Sequence, residues 1–509
     1  MASDQGKGPG QIKTIRRRLE GTDVKPTAER PPARKQEKPE AAPPPVPRGR
    51  RDGDIRPTSD PTNPVSPTKP PKEEDPVVFE TDTPVGGFTT DGNLVVDACG
   101  GCNEGAVMMC GNRWALYSNN AGANFVDVPL GSAFDMTATV PGVRGEPAGD
   151  QVIHYVPAID RFIWLLLYYP EAGGLNSFSI AVAKPSDLAA SGGQTGWHRW
   201  DFTSTFLGLG SNFIDFPDLA VTGDHLYISA CSAMGTTTNG FVVSRVPLNQ
   251  LASGGTIDVF STDLADSNGM SHGRLVQNSN GQAVWATHVD ANTLRVFNWP
   301  TGAAEPSVRD IDVQQWPWEI DAQGNKLDVF RSMTPPIPAN DPAKRVPVNW
   351  LGGAFSSIMA GVQRRNEVIL GWTAGRGGAF PHPHVRLVTL DTGTWTVAKE
   401  AQIWHPDHAW AYPWLALNAP EEVGIALGWG GGGIHFGSTA FGIPEDHVLW
   451  YSEPSDTASD RWGDYVTVRQ SIRNRSLFGG FGYTLRYDAA NDVARANPRY
   501  THFGRQSVA

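Results

Sequence analysis

Three sets of residues in this chain have types and spacings that could do chemistry. Asp150, Asp218, His272 and Asp464 stand at the openings of apolar segments that recur along the sequence. If those segments are strands lining a shared channel, the four polar side chains meet near one face. Carboxyls placed that way suit glycosidic cleavage, which needs one protonated and one ionised acid flanking the bond. The same residues also suit the plainer work of capping turns and holding channel water. A second set, Trp404, His405, His408, Trp410, Tyr412 and Trp414, falls within eleven residues. Exposed Trp faces stack on sugar rings, whereas buried ones fill gaps between sheets. Trp410 and Trp414 are therefore ligand-binding candidates set against a default of core packing. His405-x-x-His408 and His382-x-His384 have spacings a metal tolerates, but a pair is not a site. With no carboxylate partner identifiable, the sequence assigns no metal and no cofactor. The third set, Cys99-Gly-Gly-Cys102 with Cys110, is half of a zinc ribbon; buried thiols are the simpler reading.

These residues are positioned by a weak repeat that occurs about seven times between residues 84 and 505. Each copy has an apolar-alternating strand, a short turn, and a second, more hydrophobic strand. Phe216-Pro-Asp-Leu-Ala-Val followed by Leu226-Tyr-Ile-Ser-Ala matches Tyr412-Pro-Trp-Leu-Ala-Leu followed by Val423-Gly-Ile-Ala-Leu. Two such strands cannot bury their own faces, so the copies must stack. Four-stranded units around an axis make an all-β propeller. Seven blades are expected, with six as the next count, over 84–130, 148–205, 213–262, 270–320, 350–400, 410–453 and 460–505. The Pro-rich stretch 331–348 reads as a long loop over one face. Val77–Thr81 is expected to pair with the last blade and close the ring.

Composition limits the partners. The net charge is −11, yet residues 1–75 carry 16 basic and 12 acidic side chains, so the body is strongly acidic. An acidic body disfavours nucleic acid. No run of 18 apolar residues exists to span a membrane. The opening residues lack a secretory signal, which points to the cytoplasm, with release by lysis or a dedicated machine as the alternative. Residues 1–75 hold 15 of the 41 prolines and read as a disordered tail before a 76–509 propeller. Within that tail Ile12, Ile15 and Leu19 lie on one face of a short helix over 11–19, a docking peptide for a protein partner.

Two short motifs resemble a known group. Ser118-Asn-Asn-Ala-Gly-Ala-Asn-Phe125 is similar to the Asp-box hairpin of sialidase-like (BNR-repeat) propellers, with Asn120 in the Asp position and Phe125 in the Trp position. Arg461-Trp-Gly-Asp-Tyr465 resembles a last-blade signature of such propellers of unassigned function. The resemblance implies that Ser118, Asn120, Gly122, Phe125, Trp462 and Asp464 serve the fold. The opening blade lacks the Arg-Ile-Pro-like motif that a sialidase would carry. The sequence therefore favours a binding or scaffold propeller with a glycan or protein ligand, tethered by its tail. A glycan-active hydrolase, released as an effector, is the alternative.

Overall fold

The computed structural model describes residues 10–24, 51–54, 75–85, 96–134, 136, 147–169, 176–210, 214–232, 240–263, 273–318, 327–378, 380–446, 448–451 and 454–508. Seven antiparallel sheets follow one another along the chain as the blades of a propeller. Blade one runs from Cys99–Cys102 to Val126–Asp127. Blade two runs from Pro147–Val156 to His198–Thr203, and blade three from Ile214–Thr222 to Ile257–Thr262. In blade four the innermost described segment bridges Trp285 through Leu275, followed by three full strands from Gln282 to Asp312. Blade five spans Ile358–Arg364 to Thr396–Ile403, and blade six Ala409–Leu417 to Val448–Tyr451. The seven-bladed repeat is thus present as expected, although the first strand of blade one is Cys99–Cys102 and not a segment opening at residue 84.

The strands are what the residues dictate. Phe162–Tyr168 is a continuous apolar run, and every residue of it is buried, because a blade is covered on both faces by its neighbours. Trp164, Trp200, Trp285, Trp299, Trp372 and Trp429 are fully buried, so much of the tryptophan supply fills the wedges between blades. Innermost strands of adjacent blades approach closely enough to bridge, Ala98 to Val466 and Gln277 to Val362.

The ring closes through a strand from before the first blade. Val77–Pro84 pairs antiparallel with Val493–Arg505, with Val77 opposite Arg505 and Pro84 opposite Arg499. Blade seven is therefore Thr467–Gln470, Phe478–Asp488, Val493–Arg505 and Val77–Pro84. Arg499 Nε donates to Asp82 Oδ1 at 2.9 Å across this seam, with both side chains buried.

One segment of the tail differs from its expected form. Residues 14–19 are a strand, not a helix. Gly10–Gln11 extends the outer edge of blade four, Thr14–Leu19 that of blade three, and Thr22–Asp23 that of blade two. Arg51–Asp54 adds to blade six in the same way. A nine-residue helix is marginal in water, whereas each outer strand offers a row of unpaired backbone groups. Strand pairing uses those groups. Ile12 is fully buried, Leu19 packs against the main core, and Ile15 faces outward, so the shared apolar face read from the sequence is split. Arg16 and Arg18 reach Asp258 at 2.9 and 3.4 Å, and the Arg17 guanidinium lies over Phe206. The partner of this segment is the protein's own ring.

Deleting residues 1–24 should lower the melting temperature, because it removes a buried isoleucine worth about 2–5 kcal/mol and exposes three edges. Deleting 1–82 should lower it further by opening the ring. Differential scanning calorimetry of both truncations checks this; a 1–24 deletion that melts like the full chain contradicts the edge-covering role.

Candidate functional site

The innermost strands of four blades are irregular near their starts. Register shifts fall between Gly149 and Gln151, Asp215 and Asp218, Ile358 and Ala360, and Ala411 and Trp414. Asp150, Phe216 and Tyr412 in these bulges have φ of 38°, 52° and 53°, the left-handed region that costs such residues about 1–3 kcal/mol each. Pro217 and Pro413, which follow two of them, have no N–H to lose from a ladder. A bulge redirects side chains. Asp215 and Asp218 are three apart and would face opposite ways on a regular strand. Their partners Cys231 and Ser229 are two apart, so both carboxyls turn to one side. In blade six the partners of Trp410 and Trp414 are Trp429 and Ala426, three apart, so these two tryptophans face opposite ways.

The bulges surround a cluster of charges. Asp97 Oδ1 accepts the amides of Asp464 at 2.6 Å and Tyr465 at 3.2 Å, and Asp97 Oδ2 accepts Asn112 Nδ2 at 2.7 Å. Asn112 Oδ1 in turn accepts the Asp150 amide at 3.0 Å. Asp464 Oδ2 accepts from Arg461 Nη2 at 3.0 Å, while its Oδ1 is buried without a partner. Asp218 accepts the amides of Leu219 at 2.8 Å and Leu275 at 3.3 Å, with Arg274 Nη1 3.8 Å away. Arg274 is 1% exposed, and its guanidinium is enclosed by the rings of Tyr465, Phe216 and Trp414 at 4.0, 4.2 and 4.8 Å. Desolvated cation–π contacts of this kind are worth about 2 kcal/mol each. Arg469 lies on Trp414 as well, at 4.7 Å, and reaches His154 Nε2 at 2.9 Å. Tyr465 donates its hydroxyl to the Pro217 carbonyl at 3.1 Å, joining blade seven to the bulge of blade three.

Burial governs the electrostatics. It pushes the Asp150 carboxyl well above the usual range, and the charges of Asp215, Asp97 and Asp464 add to that. Asp464 is raised to about 7 by burial and by Asp97, against the pull of Arg461. Asp97 and Asp218 are also raised by burial, but donated amides oppose this at both, as do Arg461 at Asp97 and Arg274 at Asp218. So many buried carboxyls cannot all ionise, and the proton stays where counter-charge is weakest. That place is Asp150. Arg461, with 47% of its side chain exposed, marks the side of the cluster that meets solvent, and Asp150 and Asp215 are themselves only partly buried.

The long loop crosses this region. Asn340 reaches Asp492 on the blade-seven hairpin, Leu351 bridges Arg461, and Trp350 lies edge-on to Trp462 at 5.8 Å. Phe355 packs on Phe216 at 5.6 Å. A surface cleft of 490 Å³ beneath Pro335–Asn340 shares no residue with the cluster.

Of the residues singled out in the sequence, Asp150, Asp218, Asp464 and Trp414 come together. His272 lies outside the described residues. Trp410 does not join them; it is buried against Trp429 and His408. Ser118, Asn120 and Gly122 form a self-capped turn, with Ser118 Oγ accepting the Gly122 amide at 3.0 Å and Asn120 Oδ1 the Asn124 amide at 3.0 Å. Phe125 packs on Tyr500, and Trp462 stacks on Tyr483 at 4.6 Å. All four cysteines are buried, and none is in a disulfide. Asp97, Asp215, Arg274 and Arg469 were not apparent in the sequence. None belongs to a motif, and only the folded register brings them to the channel.

No family model and no curated protein matches this sequence. Among solved structures, the chain is similar to an α-L-arabinofuranosidase of Fusarium graminearum in complex with an iminosugar inhibitor, at 9% identity and a TM-score of 0.38, covering 83% of this chain and 97% of that one. It is similar to the β-propeller domain of the Trilobed protease from Pyrococcus furiosus, at 9% identity, TM-score 0.37, and 79% and 95% coverage. A protein of unknown function from Dyadobacter fermentans gives 7% identity, TM-score 0.40, and 84% and 99% coverage. At this level of similarity nothing about activity passes to this chain.

The raised Asp464 carboxyl has a consequence for stability. Its ordinary value is 3.8 and its folded value about 7, so the folded state holds the proton more tightly. Stability therefore falls as pH rises from the ordinary carboxylate range through about 7. Asp464→Asn should flatten this slope and melt at a higher temperature than wild type above pH 7. A lower melting temperature for Asp464→Asn at pH 8 contradicts the assignment.

Proposed function

We propose that this propeller is a glycan-active hydrolase whose chemistry lies in the cluster at the bulged inner strands. One observation carries the reading. Asp464 has one oxygen on Arg461, a second oxygen with no partner, and a carboxyl raised to about 7, and the Asp150 carboxyl is pushed well above the usual range by burial and by the charges of Asp215, Asp97 and Asp464. Paired carboxyls of unequal protonation are the requirement for glycoside cleavage. In the proposed roles Asp150 gives its proton to the departing glycosidic oxygen. Asp464, ionised and steadied by Arg461, faces the anomeric carbon directly or through a water. Asp218, tied to two amides and beside Arg274, holds the bulge and the arginine in place.

A binding or scaffold role is the second reading. It is favoured by Trp350 and Phe355, which pack on Tyr412 and Phe216 at the bulges beside the cluster. That role predicts a retained glycan and no turnover.

A screen of aryl-glycosides and polysaccharides separates the two. Hydrolysis should be present in wild type and fall by about 10²–10⁴-fold in Asp150→Asn and in Asp464→Asn, the usual worth of a positioned acid or base. The rate should rise with pH through about 7 as Asp464 ionises, and this limb should vanish in Asp464→Asn. Turnover unchanged in both variants, or glycan binding without turnover in wild type, contradicts the hydrolase reading.

A further inference from the structure

The three cysteines that stand together in the sequence are sorted by the fold. Cys99–Cys102 is the first strand of blade one, and Val107–Gly111 is the second. Cys99 and Cys102 lie three apart on one strand, so alternation sends their side chains to opposite faces. Cys99 bonds to the backbone of Ile153 in blade two, and Cys102 to the Gln470 carbonyl in blade seven. The Cys-x-x-Cys spacing therefore joins no pair. The register joins another: Cys99 lies directly opposite Cys110 in the antiparallel ladder, whereas Cys102 faces Val107.

Residues directly opposite in such a ladder have Cα atoms about 4.5–5.5 Å apart and side chains on the same face. A disulfide spans Cα separations of about 4.4–6.8 Å, so the backbone needs no movement to bring these two sulfurs together. The side chains are turned towards each other as well. Cys110 Sγ lies 3.5 Å from the Cys99 carbonyl oxygen and within hydrogen-bonding reach of the Cys99 sulfur.

The surroundings give the two thiols different tasks. The Cys99 sulfur accepts the Ile153 amide at 3.5 Å and an N–H of Arg469 at 3.8 Å. Arg469 is buried, and its Nε and Nη1 have no hydrogen-bond partner, so its charge calls for an anion nearby. A thiolate at Cys99 supplies one, alongside Asp218. Burial alone would raise the Cys99 thiol, but Cys110 and Arg469 outweigh it and bring it down to about 6. Burial and the Cys99 sulfur hold Cys110 well above the ordinary thiol range. A nucleophilic sulfur with a protonated thiol opposite is the arrangement of an attacking and a resolving cysteine.

We propose that Cys99 and Cys110 are a redox-active pair that a peroxide closes into a cross-strand disulfide. The approach for so small an oxidant is along Arg469 and its partner His154, which keep 9% and 7% of their surface open. The Cys99 thiolate attacks the peroxide. A sulfur–oxygen bond forms, the oxygen–oxygen bond breaks, and the departing hydroxide takes a proton from solvent and leaves as water. Sulfur loses two electrons and the peroxide gains them. The Cys110 sulfur then attacks the sulfenic acid. The sulfur–sulfur bond forms, and the hydroxyl leaves as water with the Cys110 proton. A dithiol reductant reverses the change by exchange. The disulfide takes the anion away from Arg469, whose guanidinium lies on Trp414 at 4.7 Å. The pair stands apart from the proposed carboxyl chemistry, and neither depends on the other.

The test is treatment of the folded full-length protein with hydrogen peroxide, followed by a thiol count in denaturant and by mass mapping. The four thiols should fall to two, and dithiothreitol should restore all four. Cleavage at Glu104 should leave the Cys99 and Cys110 peptides joined. The rate should level off above about pH 7, as expected of a thiol brought down to about 6. Cys110→Ala should instead accumulate a sulfenic acid at Cys99, captured as a single dimedone adduct. Cys102→Ala and Cys231→Ala remove thiols that burial pushes up, to about 11 at Cys102, and should form the bond as wild type does. Four thiols surviving peroxide, or a loss spread equally over all four cysteines, overturns the pair.

Discussion

One carboxylate, Asp97, ties the closing of the ring to the arrangement of its centre. Asp97 sits just before the first strand of blade one, yet it accepts the amides of Asp464 and Tyr465 just before the first strand of blade seven. Hydrogen bonds to a charged group are worth about 1.5–3 kcal/mol each. The seam between the first and last blades is thus fastened at the channel by Asp97 and at the rim by the Val77–Pro84 strand. The same carboxylate holds Asn112, which holds the Asp150 amide. Asp464 and Asp150 therefore keep their relative places because the ring is closed, and opening the ring would disperse both.

The centre is costly. Three non-glycine residues are held in the left-handed region, and several acidic groups are buried against two enclosed arginines. None of this improves packing. Burying a charge without full compensation is unfavourable, and strain of this kind persists only where surrounding structure enforces it. The enforcement is visible here. Tyr465 reaches across to the Pro217 carbonyl, and Arg274 is boxed by rings from three different blades. The periphery, by contrast, is conservative: long ladders, tryptophan wedges, and outer edges covered by the chain's own N-terminal segment.

The architecture was legible in the sequence because the apolar frame repeats with the blade. Phe216-Pro-Asp-Leu-Ala and Tyr412-Pro-Trp-Leu-Ala even share the bulge, which is why Asp218 and Trp414 occupy equivalent positions and both reach the centre. The centre itself was only partly legible. Strict alternation would place Trp410 with Trp414 and separate Asp215 from Asp218, and each bulge reverses that outcome. A period-two reading has no means of locating a one-residue slip. The segment 11–19 was misread as a helix for a related reason. Ile12, Ile15 and Leu19 fit one helical face, but nothing in those residues announces the open blade edges that a strand can cover. Convergence of Arg274, Arg469 and Asp97 depends on which blades adjoin across the channel, and no local pattern encodes it.

The proposed chemistry depends on carboxyl groups of unequal protonation at the channel. The most direct measurement is a ¹³C NMR titration of the aspartate carboxyl carbons in the full chain and in Asp464→Asn. One aspartate should titrate at about 7 and be absent from the variant, and a second, Asp150, should titrate well above the ordinary carboxyl range. Every aspartate of the cluster titrating near the ordinary value of about 4 would contradict that chemistry.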